Sequence, residues 1–107
     1  MPIAYTVTAR FEDNDVAEEF VYWLRYGHMQ AVLAGGGDRA EVVHWSEPEE
    51  DEKTITVRYR FPDRAAFERY LEHHAPGLRD EGAKRFPPSR GVTFSRTVGE
   101  ILLPVDE

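Results

Sequence analysis

A chain of 107 residues with a formal net charge of −7 is long enough for one hydrophobic core and too acidic to be attracted to a phosphate backbone. Hydrophobic residues make up 41% of the chain, cysteine is absent, and none of the apolar runs approaches the roughly 20 residues that span a bilayer. We therefore expect a single cytoplasmic domain over residues 1–107, without disulfide or thiolate chemistry and with neither nucleic acid nor membrane as a partner.

The N-terminal third predicts a strand that leads directly into a helix. Apolar and polar side chains alternate over Ile3–Phe11, as they do in a strand with one buried face. The polar cluster at 12–15 then supplies an N-cap, and the apolar spacing that follows predicts one helix as far as the three glycines at 35–37. Gly27 lies inside that helix and costs about 1 kcal/mol relative to alanine, so we expect a bend or a close contact there.

The middle of the chain predicts a hairpin. Residues 41–46 predict a second strand, which the acidic turn at 47–52 connects to Thr54–Phe61. Alternation in Thr54–Phe61 is uninterrupted, with apolar residues on one face and threonines and arginines on the other. The apolar face is expected to form the core of a two-layer sandwich with the helices. The residues predicted to be buried together are Phe20, Leu24, Ile55, Val57, Tyr59, Phe61, Phe67 and Leu71.

The last third predicts two helical segments and a closing strand. Asp63 caps a helix over 63–74, Pro76 interrupts it, and a short continuation reaches the prolines at 87–88. A strand over 91–98 and an apolar tail at 101–104 follow. The resulting order, β-α-β-β-α-β, predicts a ferredoxin-like α+β fold whose antiparallel sheet has the order 4-1-3-2 and carries both helices on one face.

The other face of this sheet is predicted to be open. It carries threonine, serine and arginine side chains, which water tolerates, but the strand with Trp45 and the tail at 101–104 add apolar surface. Apolar surface of this kind favours a protein partner.

Several motifs resemble a bacterial family of unknown function in the dimeric α/β-barrel superfamily. The most specific is the run Leu-Glu-His-His-Ala-Pro-Gly-Leu-Arg at 71–79, and Trp23-Leu24 and Arg85-Phe86-Pro87 fit the same pattern. The chain departs from the pattern at the glycine triplet and at Phe94-Ser95-Arg96. The resemblance implies a ferredoxin-like fold and a homodimer formed by packing two open sheet faces. Relatives in the superfamily include cofactor-independent monooxygenases and isomerases, but the resemblance transfers no catalytic residue and no cofactor.

The four histidines do not predict a metal site. His73 and His74 are adjacent, so their side chains diverge by about 100° on a helix. His74 falls on the apolar stripe and is expected to be buried, whereas His73 is expected to be exposed. His28 lies near Trp23 on the first helix, where it is either a general base poised near neutrality or a residue packed at the helix edge.

Three arginines are candidates for an anion-binding wall. Arg10, Arg58 and Arg60 fall on the open face of two neighbouring strands, where they either converge on a ligand or pair with carboxylates. Arg96 instead falls in the apolar row of the last strand, so it is expected to reach solvent or to meet a carboxylate.

Two functions remain open at this point. The first is a non-catalytic ligand-binding or interaction module for a small anionic or aromatic ligand, with ligand-binding residues Arg58, Arg10 and Arg60 and with no metal or cofactor. The second is an enzyme of the cofactor-independent monooxygenase or isomerase type, with His28, Trp23 and Tyr59 as catalytic candidates and Arg58 beside them. A closed cavity lined by histidine with tyrosine or arginine favours the second function, and a solid core of Phe, Trp and Leu favours the first.

Overall fold

The computed structural model of the protein describes residues 1–103, which form one antiparallel sheet with helices packed on one face. The strands are β1 (Ile3–Phe11), β2 (Arg39–His44), β3 (Thr54–Phe61) and β4 (Val92–Glu100). The helices are α1 (Asn14–Trp23), α2 (Met29–Ala34), α3 (Arg64–His73) and α4 (Ala75–Arg85). None of these helices is long and apolar enough to cross a bilayer.

The sheet has the predicted topology. Its strand order is β2-β3-β1-β4, which is the order 4-1-3-2 counted from the opposite edge. All neighbouring strands are antiparallel, and Tyr5 in β1 lies opposite both Tyr59 in β3 and Val98 in β4. The predicted ferredoxin-like fold is therefore confirmed, and β1 brings side chains of three strands together at the middle of the helix-covered face.

The predicted first helix is divided by a kink at Leu24–His28, where the backbone N–H of Met29 donates a hydrogen bond to the backbone oxygen of Leu24. Backbone angles inside the segment are non-helical, with φ −106° and ψ 33° at Tyr26 and φ 161° and ψ −48° at Gly27. A Cβ atom placed on Gly27 would meet nothing within 4 Å, so this glycine permits a bend and not a close contact. Of the two alternatives predicted for Gly27, the bend is the one that occurs.

The second helical region also divides, at His74. Asp63 caps α3 as predicted, accepting a hydrogen bond of 2.8 Å from the backbone N–H of Ala66. The helix ends at His73, and α4 begins at Ala75 with Pro76 in its first turn. His74 therefore leaves the apolar stripe and is exposed, and the prediction that it is buried was wrong. His73 is exposed, as predicted.

The core lies between the helices and the apolar face of the sheet. The predicted core residues are buried there except Leu71, which is half-buried. The cluster is largely aromatic: Phe20, for example, lies 5.3 Å from both Phe11 and Phe86, measured between ring centroids. These aromatic contacts hold the helices at a fixed position over β1 and β3.

On the open face, Trp45 covers part of the sheet. Trp45 lies just beyond the end of β2, because this strand begins and ends two residues earlier than predicted. The indole Nε1 of Trp45 donates a 2.8 Å hydrogen bond to Oγ1 of Thr56. Thr54 and Thr56 are consequently only 5% exposed. The tail is less well covered, because Leu102 and Leu103 are exposed; Pro104, which completes the predicted apolar tail, lies outside the described residues.

Candidate functional site

A cavity of about 220 Å³ lies between the helices and the sheet. Its walls are mainly apolar. They consist of residues from β1, β3 and β4 and from the helical regions before β2 and after β3. The polar groups that line it are Tyr5, His28, Tyr59, Tyr70, Arg79 and Arg96. The helix-covered face is therefore not a solid core. A lining of His, Tyr and Arg is the feature expected of the second predicted function, the enzyme, so the choice between the two functions depends on the protonation states of these groups.

His28 reaches the cavity because the chain kinks at Leu24–His28. Residues five apart differ by about 140° on a continuous α-helix, whereas the kink, which is closed by a hydrogen bond from the backbone N–H of Met29 to the backbone oxygen of Leu24, turns the His28 side chain towards Trp23. The His28 ring accordingly stacks on Trp23, with centroids 4.1 Å apart and planes 19° apart. Trp23 is held by α4: its Nε1 donates to Oε1 of Glu81 at 3.4 Å, and a Cβ on Gly82 would lie only 3.3 Å from its ring.

His28 is neutral at physiological pH. Burial lowers the pKa of its imidazole from 6.5 to about 4; the carboxylate of Glu81 opposes this effect and the guanidinium of Arg96 adds to it. The buried Nδ1 atom has no hydrogen-bond partner among the described residues. A neutral imidazole with a free ring nitrogen can donate or accept one hydrogen bond there, depending on its tautomer.

The tyrosines of the cavity keep their protons. Burial raises the pKa of Tyr59 well above its usual range, with further contributions from Tyr70 and Tyr5. Burial, and secondarily Tyr5, also raises the pKa of Tyr70 to about 12. The buried hydroxyl of Tyr59 has no hydrogen-bond partner among the described residues. The Tyr59 hydroxyl is therefore protonated, lines the cavity, and donates to none of the described residues.

Two arginines at this cavity bind the same phenol oxygen. Arg79 Nη2 and Arg96 Nε each donate a 3.2 Å hydrogen bond to the hydroxyl of Tyr5. Arg96 also lies over the Phe94 ring, with Cζ 5.9 Å from the centroid. Arg96 lies in the apolar row as predicted, and of the two alternatives predicted for it the first occurs: the side chain is exposed, and its hydrogen-bond partner is a neutral phenol in β1 and not a carboxylate.

The three arginines of the predicted anion wall lie on the other side of the sheet. Arg58 Nη1 is 3.3 Å from Oε1 of Glu41, and Arg60 Nε is 3.5 Å from Oδ1 of Asp38. Arg10 lies opposite Thr54, four positions along β3 from Arg58, which separates the two by about 13 Å of strand. The structure thus places two of the three in ion pairs and does not bring Arg10 and Arg58 together. Their role in anion binding stays a prediction.

Of the catalytic candidates, the structure brings His28, Trp23 and Tyr59 into one cavity. Sequence reasoning missed Tyr5, Tyr70 and Arg79 as polar residues of that site. The alternation in β1 placed Tyr5 on the buried face, and Arg79 is the last residue of the motif at 71–79. The sequence therefore indicated where Tyr5 and Arg79 lie but gave no sign that they belong to a functional site. Within residues 1–103, no group of three or more His, Asp or Glu side chains is placed to hold a metal ion.

Residues 2–101 match a family model described as a domain of unknown function (DUF4286). No curated protein matches the sequence.

Solved structures share the fold over nearly the whole chain. A dimeric ferredoxin-like protein from an uncultured marine organism is 14% identical, with a TM-score of 0.77 over 97% of this chain and 98% of that one. SnoaB, a cofactor-independent oxygenase from Streptomyces nogalater, is 13% identical, with a TM-score of 0.67 over 99% and 98%. An ethyl tert-butyl ether D (EthD) family protein from Bacillus halodurans is 13% identical, with a TM-score of 0.69 over 95% and 100%. At these identities the likeness establishes the fold alone.

Proposed function

Because the chain belongs to the DUF4286 family of unknown function, we propose its function from the cavity itself: it binds a small, largely apolar molecule between the sheet and the helices. A ferredoxin-like fold serves many functions, so the cavity has to carry the argument.

The observation that carries this proposal is a pair of unpaired polar atoms inside an apolar cavity. Nδ1 of His28 and the hydroxyl of Tyr59 are both buried and lack partners among residues 1–103. Each such atom costs about 1–3 kcal/mol when it stays unsatisfied. A ligand that offers a complementary polar atom to either one removes part of that cost, whereas a purely structural core gains nothing from keeping them.

The cavity limits the size and character of the ligand. Its volume of about 220 Å³ exceeds the roughly 150 Å³ of a cavity that holds benzene and lies below the roughly 300 Å³ of the smallest drug-sized sites. Aromatic side chains such as Phe20, Trp23 and Phe94 contribute to the wall. We infer a ligand with one or two fused rings that carries at least one hydrogen-bonding group.

We further infer that the protein works as a homodimer in the cytoplasm. The open sheet face with Trp45 and the exposed Leu102 and Leu103 supply apolar surface for a second copy. The marine ferredoxin-like protein with the same fold is described as dimeric, which supports this assembly. The lack of cysteine is typical of a chain that needs no disulfides.

The test of ligand binding is calorimetry with 2-naphthol, a two-ring probe with one hydroxyl. We expect saturable binding to the wild-type protein and a loss of affinity of about 2- to 10-fold in Tyr59→Phe, since one neutral hydrogen bond is removed. Tyr22→Phe is the matched control, because Tyr22 is 65% exposed and does not line the cavity. Absence of binding at millimolar probe refutes the proposal, and equal affinities for both variants place the probe elsewhere.

A second candidate function, proton abstraction as the first step of isomerase or cofactor-independent monooxygenase chemistry, is favoured by the position of His28. Its free Nδ1 faces the same cavity, and SnoaB, a protein of the same fold, is a cofactor-independent oxygenase. A histidine with a pKa of about 4 is, however, a weak base at neutral pH, which favours binding over catalysis in the protein without ligand.

Deuterium exchange separates the two functions. The two-ring ketone 2-tetralone carries acidic C–H bonds, and its exchange in D2O can be followed by NMR. An enzyme of this type accelerates the exchange at stoichiometric protein, and His28→Gln removes the acceleration while His73→Gln, at an exposed histidine, preserves it. Exchange at the rate of buffer alone, together with binding of 2-naphthol, leaves the binding function.

A further inference from the structure

We infer that the ligand of this cavity carries a carboxylate, which Arg79, Arg96 and Tyr5 hold at the edge of the apolar space. The inference rests on the proposed function, because the rings of such an arylcarboxylate occupy the cavity described above. It adds the chemical class of the ligand and the residues that select it.

The two guanidinium groups of this site share one neutral partner. Arg79 and Arg96 both donate to one phenol oxygen, so two positive charges are held close together with a neutral group between them. Neither forms an ion pair with a carboxylate of the described residues. Two positive charges that share one partner atom repel each other. An anion between them would offset this repulsion, whereas the neutral hydroxyl of Tyr5 does not.

Four other arginines of the chain form ion pairs with carboxylates. Arg58 and Arg60 pair with Glu41 and Asp38 on the open face, Arg64 pairs with Glu68 on α3, and Arg90 pairs with Glu19. The chain has 20 acidic residues against 13 basic ones, so carboxylates are abundant. Arg79 and Arg96 instead converge on one neutral oxygen, and they lie where a cavity opens beside them.

The hydroxyl of Tyr5 lies between the two guanidinium groups. The Tyr5 side chain is 2% exposed, and its hydroxyl accepts from Arg79 on one side and from Arg96 on the other. A phenol has one proton of its own to donate, and that proton forms no hydrogen bond to the described residues. One hydroxyl donor between two guanidinium forks matches the two oxygens of a planar carboxylate.

The charged and apolar parts of the site are continuous. Arg96 and Arg79 line the same cavity as His28, Tyr59 and Trp23. A single molecule with an apolar body and one anionic group can therefore use both parts at once. A small anion without such a body gains only the charged contacts, which water and salt weaken.

The experiment compares three probes by calorimetry: 2-naphthoate, its neutral isostere 2-naphthamide, and acetate. Only 2-naphthoate offers a charged acceptor to the hydrogen bonds of the two arginines. We therefore expect it to bind about 10- to 100-fold more tightly than 2-naphthamide. We expect acetate to bind far more weakly than 2-naphthoate. Raising the salt concentration should weaken the binding of 2-naphthoate and leave that of 2-naphthamide nearly unchanged.

Variants assign the preference to residues. Arg96→Gln and Arg79→Gln should each reduce the preference for 2-naphthoate over 2-naphthamide by about tenfold. Arg58→Gln is the matched control on the open face and should preserve the preference. Arg79 and Arg96 are exposed, so these variants are expected to fold, and urea unfolding verifies that they do.

The outcomes separate this inference from the function on which it rests. Equal affinities of the wild-type protein for 2-naphthoate and 2-naphthamide overturn the carboxylate site but retain the binding cavity. A preference that disappears in Arg58→Gln and persists in Arg96→Gln also overturns it, in favour of the open sheet face. Failure of both naphthalene probes and of 2-naphthol to bind removes the cavity function itself.

Discussion

Replacing His28 by glutamine should remove a pH dependence of stability that the wild-type protein shows between about pH 4 and 6.5. In the folded protein burial lowers the pKa of His28 from 6.5 to about 4. Between those values the unfolded chain binds a proton at this residue and the folded chain does not, so the free energy of unfolding rises with pH. Above pH 6.5 the contribution is complete, and it is lost as the pH falls towards 4.

The magnitude follows from the size of the shift. A fall in pKa of this size corresponds to about 3 kcal/mol at roughly 1.4 kcal/mol per pKa unit. His28 is half-buried, and water at the cavity opening screens part of the effect, so we expect about 2–3 kcal/mol. The free energies of unfolding of the wild-type protein and His28→Gln should therefore diverge by that amount over this pH range.

The assay is urea unfolding at pH 4, 5, 6 and 7 at one fixed protein concentration, because unfolding of a dimer depends on concentration. His73→Gln is the control: His73 is exposed, and this variant should follow the wild-type curve. NMR titration of the His28 ring protons measures the same pKa directly. Parallel stability curves for wild type and His28→Gln, or a His28 midpoint near 6.5, would refute the reasoning.

Three further predictions concern the core, the assembly and the open face. Phe67→Ala should lower the free energy of unfolding by about 3–5 kcal/mol and Leu71→Ala by less, because Phe67 is 2% exposed and Leu71 half-buried; unfolding midpoints equal to wild type would contradict the assigned core. Sedimentation at micromolar concentration should detect a dimer, and detection of the monomer alone would contradict this prediction. The interface of such a dimer is expected to bury about 1,200–2,000 Å² in total. If the open-face arginines bind anions, phosphate should raise the melting temperature of the wild-type protein and not of Arg58→Ala; an equal response of both proteins counts against that site.

The sequence by itself determined the fold. Alternation in β1 and β3 identified the strands, Asp63 marked the start of a helix, and the element order left one ferredoxin-like arrangement. These features depend on local chemistry, namely side-chain period, capping and proline, which a linear pattern records directly. The prediction for His74 failed because the backbone leaves the helix at this residue. The apolar stripe of the helix ends there, although the spacing of residues in the sequence continues it.

Only the tertiary structure decided the site. The stacking of His28 on Trp23 depends on the kink at Leu24–His28, which α-helical spacing does not reveal, and the convergence of Arg79 and Arg96 on Tyr5 joins residues 74 and 91 positions apart. Whether an arginine meets a carboxylate or a phenol depends on which strands are neighbours and on how closely a helix approaches them. A cavity is space left between packed elements, so its lining follows from their relative placement and from no single stretch of the chain.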